Sequence, residues 1–197
     1  MTIQGQTAEY DGLEVDLRPN LATVLGGACV VGLISALSLP WPVAIASTLL
    51  GALMIAGADV DARTFLLPNV ITYGALIGGV LAAPFLDPSG SWTAAVEASA
   101  RAGIVAGGLA LFRSGYGWIR KTEGLGLGDV KLAAAIGAWL YLDAVPACFL
   151  LATGGALVTV VLARLSGQVV MSTTRIPFGA FLCPALWIVF FIDCLTR

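Results

Sequence analysis

The chain has 197 residues, of which 58% are hydrophobic and only 11% are charged, and its formal net charge is -2. A soluble domain carries about 25% charged residues, so a water-soluble fold of this chain would have too little polar surface to cover itself. The small net charge also argues against nucleic-acid binding, which needs a basic patch. The composition therefore predicts a polytopic membrane protein surrounded by the lipid bilayer.

Residues 1–20 precede the first apolar run and carry four acids and one arginine. They lack the basic start of a secretory signal peptide, so we predict an acidic cytoplasmic tail that is mobile. Leu13, Val15 and Leu17 could give this tail a short apolar face. Residues 21–197 are predicted to form a single transmembrane domain.

The apolar runs predict the number of spans, because a spanning helix needs about 20 mostly apolar residues. A seventh, shorter run covers about 129–141 and is marginal by length. We predict an all-α membrane helix bundle with seven spans, or six if the short run does not cross. The six long runs lie near 21–39, 41–60, 69–86, 91–112, 143–165 and 176–195.

Breaks between these runs follow from turn-forming residues. Proline stops helices and biases its predecessor toward extended geometry, so residues 39–42 (LPWP) predict a tight hairpin. Residues 87–90 (DPSG) predict a turn. Residues 113–128 predict the one substantial loop in the body of the chain.

Glycine pairs four residues apart predict close helix packing. Gly74 with Gly78, and Gly103 with Gly107, form small-x-x-x-small patterns that let helix backbones approach each other. The chain has no convincing internal repeat, so a transporter built from duplicated halves has no support in the sequence.

Charge predicts the orientation of the bundle. With seven spans, eight of the ten Lys and Arg residues share the side of the N-terminus, which the positive-inside rule assigns to the cytoplasm. Without the short span, Arg164 and Arg175 would lie outside, so the asymmetry favours seven spans. The eight are Arg18, Arg63, Arg113, Arg120, Lys121, Lys131, Arg164 and Arg175; the other side carries Arg197, Asp87, Asp143 and Asp193.

Histidine is absent, and the four cysteines are scattered through apolar runs without a Cys-x-x-Cys pair. Protein zinc sites are built mainly from histidine and cysteine, so we predict no metal site and no cofactor. The lack of histidine also excludes histidine-based catalytic triads. Cys29, Cys148, Cys183 and Cys194 are expected to be small apolar core residues.

Acids within spans are functional candidates, because a charge at the centre of a spanning helix costs roughly 2.5–3.5 kcal/mol. Glu97 lies one turn from Arg101, and this spacing predicts a structural ion pair. Asp61 ends the second span and Asp129 opens the short fifth span, so both belong to the cytoplasmic face and could meet at one depth.

Two such acids suit aspartic protease chemistry. Two close carboxylates cannot both ionise easily, so one keeps a proton. The ionised partner takes a proton from water and the other donates one to the scissile carbonyl, with neither role assigned from sequence. Gly126 and Gly128 remove side chains where an extended substrate approaches the backbone. Alternatively, Asp129 merely caps the helix after a flexible loop.

Three segments resemble the signatures of type IV prepilin peptidases, and they occur in the order of that family. Residues 61–72 (DARTFLLPNVIT) are similar to the first active-site motif. Residues 124–139 (GLGLGDVKLAAAIGAW) are similar to the second, Gly-x-Gly-Asp-x-Lys-Leu, and residues 176–181 (IPFGAF) to a third.

The resemblance implies an intramembrane aspartic endopeptidase of the bacterial inner membrane, with Asp61 and Asp129 as the catalytic pair. Its substrate would be a pilin or pseudopilin precursor, cut at the end of a cytoplasmic leader, typically after glycine. Whether the enzyme forms a homodimer stays open. The motifs also imply substrate-binding or supporting roles for Pro68, Asn69, Gly126, Gly128, Lys131, Pro177, Phe178 and Gly179.

The chain departs from the family pattern in two ways. Larger relatives carry a cytoplasmic insertion with paired Cys-x-x-Cys motifs, linked to N-methylation, and this chain has neither. We therefore predict cleavage without methyl transfer. The family often has Asp where Asn69 stands, although smaller relatives tolerate Asn.

Asp59 is a competing acid two residues before Asp61. On a helix the two side chains point about 200° apart, so they cannot both face one site. The family spacing of seven residues from acid to proline selects Asp61. Asp59 is then expected to be exposed to water or bonded within the bundle.

Three other interpretations remain. The presenilin and signal-peptide-peptidase group shares Gly-x-Gly-Asp and the Pro-Ala-Leu found at 184–186, but no Tyr-Asp pair within an apolar run supplies its first aspartate. A proton-coupled transporter could use Asp61 and Asp129 as a relay, although relays usually need ionisable groups at several depths. The third is a non-catalytic scaffold of a filament-assembly machine.

Overall fold

The computed structural model describes residues 7–10, 13–87, 90–120, 126–167 and 177–196. Within these ranges the chain forms seven α-helices, which confirms the predicted all-α bundle. They are α1 (Leu21–Ser38), α2 (Trp41–Thr64), α3 (Asn69–Leu86), α4 (Thr93–Arg120), α5 (Leu127–Trp139), α6 (Val145–Leu165) and α7 (Gly179–Thr196). Residues of the sequence patterns that lie outside the described ranges are Asp11, Pro88, Ser89, Lys121, Gly124, Leu125, Arg175, Ile176 and Arg197.

Six of these helices are long and apolar enough to cross a membrane, and α5 is the exception. At 1.5 Å per residue α5 is about 20 Å long, whereas the hydrocarbon core of a bilayer is about 30 Å thick. Helices α3, α4 and α7 pack around α5, and most of its residues are buried. The short apolar run is therefore an inner helix of the bundle, and the protein is a multi-pass membrane protein.

The helices form an inner group and an outer group. In the inner group, α2 and α5 each contact both α3 and α7. In the outer group, α1 packs on α2, α4 on α3 and α5, and α6 on α7. The core is filled by side chains such as Leu50, Leu132, Ile136 and Leu186, all with 0% exposure. Large apolar side chains on the outer helices, such as Leu37 on α1, are exposed and are suited to contact lipid.

Buried and half-buried hydrogen bonds connect neighbouring helices, as expected where a polar group has little access to water. Ser35 of α1 and Ser47 of α2 share a hydrogen bond of 2.9 Å between their hydroxyls. The indole nitrogen of Trp187 in α7 donates to the same Ser47 hydroxyl at 3.1 Å. Trp139 of α5 donates to the carbonyl of Ala75 in α3 at 2.7 Å.

One of the two predicted glycine seams packs within the chain and the other does not. A Cβ added to Gly74 would lie 3.9 Å from the Leu53 side chain, and a Cβ added to Gly78 would lie 3.5 Å from the Trp139 ring. By contrast, apart from the surrounding backbone of α4 itself, no heavy atom lies within 4 Å of a Cβ position on Gly103 or Gly107. The prediction of a packed Gly103–Gly107 seam is therefore wrong for the described part of the chain, because this side of α4 has no helix against it.

The closest approach of a glycine to the backbone of another helix is one that the sequence patterns missed. A Cβ on Gly137 would lie 2.5 Å from the carbonyl oxygen of Arg101 and 2.8 Å from the Cα of Ala102. These atoms belong to the α4 backbone, so they cannot move without moving the helix. Gly137 therefore sets how closely α4 packs against α5.

We expect Gly137→Ala to destabilise the protein by about 1–3 kcal/mol, the usual cost of overpacking a core. The added methyl group would push α4 away from α5. Thermal unfolding of the purified protein in detergent measures the effect. Gly107→Ala is the matched control, because its methyl group would enter open space; equal unfolding temperatures for the two variants would contradict this packing.

Two sequence predictions about loops differ from the structure. Helix α4 continues through the first half of the predicted 113–128 loop and ends at Arg120. Gly115 and Gly117 weakened the helical pattern, but an internal glycine costs a helix only about 1 kcal/mol, and no proline interrupts the segment. The acidic tail was predicted to be mobile, yet Thr7–Tyr10 and Leu13–Asp16 pair as an antiparallel hairpin.

The predicted ion pair between Glu97 and Arg101 is weak. Its charged atoms lie 4.0 Å apart, and the Glu97 side chain is 66% exposed. Arg101 instead lies over the ring of Tyr141, 4.8 Å from its centre, in a cation–π contact. Arg101 therefore contributes mainly to the contact between α4 and the turn after α5.

One end of the bundle collects the helix ends that carry the candidate acids, and we call it the acid end. There, Lys131 near the start of α5 reaches Asn69 at the start of α3, and Asp61 near the end of α2 reaches Ala180 at the start of α7. The acid end is thus formed by the end of α2 and the starts of α3, α5 and α7.

Candidate active site

Asp61 lies one turn before the end of α2 and is only 4% exposed. Its carboxylate oxygen Oδ2 accepts a hydrogen bond of 2.8 Å from the backbone N–H of Ala180, and a Cβ on Gly179 would lie 2.8 Å from the same oxygen. Helix α7 begins at these residues, so the free N–H groups and positive dipole end of a helix point at Asp61. Asp61 is therefore held in a fixed place by a second helix.

The chain ends α2 just after Asp61. The backbone N–H of Phe65 donates to the carbonyl of Asp61 at 2.8 Å, and Phe65 adopts the left-handed conformation with φ 56°. A bulky residue is rare in that region. This turn directs residues 66–68 back across the acid end before α3 begins.

Asp129 lies in the first turn of α5 and is 9% exposed. The helix begins at Leu127 after Gly126, so Asp129 is not the N-cap residue that the alternative interpretation assumed. The Cβ position of Gly126 lies 3.4 Å from Oδ2 of Asp129. The structure thus places the two predicted acids, from separate helices, at the acid end, where both are buried.

Two of the predicted glycines allow close approach at this pair. A Cβ on Gly179 would overlap the Cδ1 atom of Leu67 and lie 2.8 Å from Oδ2 of Asp61. A Cβ on Gly128 would lie 3.1 Å from the Cβ of Leu67. A side chain at Gly179 would press on Asp61 and Leu67, and one at Gly128 would press on Leu67.

Lys131 and Asn69 lie beside the acids and join two helices. The ammonium group of Lys131 donates to the side-chain oxygen of Asn69 at 2.6 Å and lies 5.5 Å from the centre of the Tyr73 ring. Both contacts connect the first turn of α5 to the first turn of α3.

The predicted prolines and Phe178 shape the helix starts around the acids. Pro68 is buried, and its carbonyl accepts hydrogen bonds from Ile71 and Thr72 in the first turn of α3. The carbonyl of Pro177 accepts from Ala180 at 3.2 Å, and that of Phe178 from Leu182 at 2.9 Å. These residues therefore fix the backbone N–H groups that reach Asp61.

Asp59 is bonded away from this pair. Its carboxylate accepts from the side chain of Arg63 at 2.7 Å and from the backbone N–H of Asn20 at 2.8 Å. Arg63 also donates to the carbonyl of Arg18. Asp59 thus ties the start of α1 to α2, which agrees with the expectation that it is bonded within the bundle.

Sequence reasoning missed three residues at this site. Leu67 stood inside the first motif, beside Pro68, but an apolar side chain gave no chemical signal. Ala180 contributes only a backbone N–H, which the start of a helix after Pro-Phe-Gly could have indicated. Cys183 is fully buried one turn into α7.

Metal-ion chemistry has no visible support at this place. Among the described residues, no three His, Cys, Asp or Glu side chains are grouped as metal ligands. The two carboxyls are instead surrounded by backbone donors and apolar side chains.

Comparison with known proteins gives the class of this protein. The sequence model of the type IV leader peptidase family matches residues 48–163, a range that includes both acids. The chain belongs to the type IV leader peptidase family. The leader peptidase HopD of Salmonella typhimurium is 37% identical over 145 residues, which cover 68% of this chain and 86% of that protein.

Larger relatives match over part of their length. The prepilin leader peptidase/N-methyltransferase of Aeromonas hydrophila is 34% identical over 78% of this chain and 51% of its own length. The type 4 prepilin-like proteins leader peptide-processing enzyme of Escherichia coli is 32% identical over 72% of this chain and 51% of its own. This leader peptidase therefore spans about half the length of these two relatives. No solved structure matches the chain.

Proposed function

We propose that this leader peptidase is an intramembrane aspartic endopeptidase that removes the leader of type IV pilin or pseudopilin precursors. The burial of both Asp61 and Asp129 at the acid end is the observation that carries the proposal. The two carboxyls come from separate helices, and the chain contains no histidine. A pair of acids that shares one proton is the established means of peptide hydrolysis without histidine or metal.

The proposed reaction uses the pair as acid and base. The ionised carboxyl takes a proton from water, whose oxygen attacks the carbonyl carbon of the scissile bond, while the protonated carboxyl donates to the carbonyl oxygen. Collapse of the tetrahedral intermediate breaks the C–N bond, and the departing nitrogen receives a proton from the pair. The products are a leader with a free carboxylate and a mature protein with a new amino terminus.

The acid end is proposed to face the cytoplasm of a bacterium, at the inner membrane. The cations at or next to the helix ends there include Arg18, Arg63 and Lys131, whereas Asp87 and Asp143 lie at the other end. This asymmetry supports a cytoplasmic acid end. A precursor would then keep its leader in the cytoplasm and its apolar helix in the bilayer, with the cut typically after glycine.

Cleavage without methyl transfer is part of the same proposal. The chain lacks the paired Cys-x-x-Cys motifs of the larger relatives. One of these relatives, the Aeromonas hydrophila protein that matches over 51% of its own length, is named as a combined peptidase and N-methyltransferase. We expect the mature product to keep an unmodified amino terminus even when S-adenosylmethionine is supplied.

Mass spectrometry tests these proposals directly. Purified protein in lipid vesicles is incubated with a pilin precursor and S-adenosylmethionine, and the masses of both products are read. Loss of the leader alone supports the proposal, and an added methyl group contradicts its second part. An intact precursor would contradict the protease assignment and would leave transport or a scaffold role as the alternatives.

Lys131 is proposed to hold the first turn of α5, and hence Asp129, in position. We expect Lys131→Met to lower the rate of leader removal roughly tenfold, the equivalent of losing one hydrogen bond to a charged group. Initial rates with saturating precursor measure the change. Asn69→Asp is the matched control and should stay active, because its carboxylate still accepts from Lys131; a loss as large as that of Lys131→Met would contradict this role.

A further inference from the structure

The side chain of Leu67 lies across the space between the two acid-bearing regions. Its Cβ lies 3.1 Å from the position of a Cβ on Gly128, next to Asp129, and its tip reaches the corresponding position on Gly179, against Asp61. Leu67 is half-buried and packs on the hydrophobic core. Its base thus contacts the start of α5, and its tip the start of α7.

The two glycines therefore make room for Leu67 itself. A peptide bond attacked between Asp61 and Asp129 must lie within hydrogen-bond reach of both carboxyls. The substrate residues that flank this bond then have to pass the Leu67 side chain. A bulky side chain at the cleaved bond would collide with Leu67, whereas a small one would fit.

We infer that Leu67 is the specificity-determining residue that limits the size of the substrate side chains at the cleaved bond. The inference rests on the proposed function and adds to it the residue that sets this size limit. Leu67 does not take part in the chemistry. Its branched end occupies volume that a larger substrate side chain would need.

The experiment compares Leu67→Ala with the wild type on matched precursor peptides. The peptides carry glycine, alanine or valine in turn at each of the two residues that flank the cleaved bond. Cleavage is followed by mass spectrometry in lipid vesicles, and kcat/KM is determined for each pair. Leu66→Ala is the matched control, because Leu66 is the same residue type in the same loop and is not among the atoms nearest to Gly128 or Gly179.

For the wild type we expect at least about a tenfold preference for the smallest side chain at one of the flanking positions, the range of a single-methylene discrimination. Leu67→Ala should cleave the alanine and valine peptides at least about tenfold faster than the wild type does. Leu66→Ala should keep the wild-type preference. Leu67→Val, a milder change, should give an intermediate preference and guards against a folding defect in Leu67→Ala.

Each failure has a distinct meaning. If the wild type cleaves the glycine peptide but Leu67→Ala and Leu67→Val keep its preference, the inference is overturned and the proposed function stands. Faster cleavage of every peptide by the same factor would also overturn it, because Leu67 would then act as a gate. If the wild type cleaves no peptide, the proposed function falls and this inference falls with it.

Discussion

Asp61→Asn and Asp129→Asn should each lower the rate of leader removal at least roughly a thousandfold, because residues that act as one catalytic unit cannot replace one another. Asparagine keeps the shape of the side chain and much of its hydrogen bonding, but it cannot take up or release the proton. The rate is measured by mass spectrometry with purified protein in vesicles. The double variant should be no slower than either single variant.

Asp59→Asn is the matched control for this prediction. It lies on the same helix as Asp61, but its carboxylate is engaged by Arg63 and Asn20. We expect close to the wild-type rate, because an exposed ion pair of this kind contributes little free energy. Full activity in Asp61→Asn or Asp129→Asn would refute the catalytic pair. If Asp59→Asn alone abolished cleavage, the catalytic role would belong to Asp59.

Gly179→Ala should lower the rate about a hundredfold, the loss that a displacement of about 1 Å in catalytic groups can cause. The new methyl group would overlap Leu67 and lie 2.8 Å from Oδ2 of Asp61. The carboxyl would have to move away from the backbone N–H of Ala180. Rates are measured as before, and circular dichroism checks that the variant keeps its helix content.

Gly154→Ala is the control for the glycine prediction. It adds the same methyl group to α6. Apart from the surrounding backbone of α6 itself, no heavy atom lies within 4 Å of that methyl position. Activity should be unchanged, because helix interiors favour alanine over glycine. If Gly179→Ala were as active as Gly154→Ala, the close approach of α7 to Asp61 would have no catalytic importance.

The sequence predicted the helices well because lipid imposes a simple rule. Every backbone polar group in hydrocarbon must be bonded within its own segment, so a long apolar run such as 69–86 is a helix, and α3 has those bounds. The rule does not apply beyond the bilayer. The continuation of α4 to Arg120 and the hairpin at Thr7–Tyr10 were missed for that reason.

The candidate site was only partly predictable. Asp61 and Asp129 carry chemistry in their side chains, and their positions at span ends on one side indicated that they could meet. Leu67 and Ala180 contribute shape and a backbone N–H, and such contributions depend on three-dimensional packing between distant segments. The contact of Gly137 with the α4 backbone likewise arises from helix positions that no spacing in the sequence specifies.

The pH dependence of kcat/KM for leader removal tests the shared proton most directly. Only the singly protonated pair has both an acid and a base, so the account predicts a bell-shaped profile whose two limbs belong to the pair as a whole. Asp59→Asn should leave both limbs in place. A rate that rises through a single limb and then stays constant to alkaline pH would contradict the account, because one ionised group would then suffice.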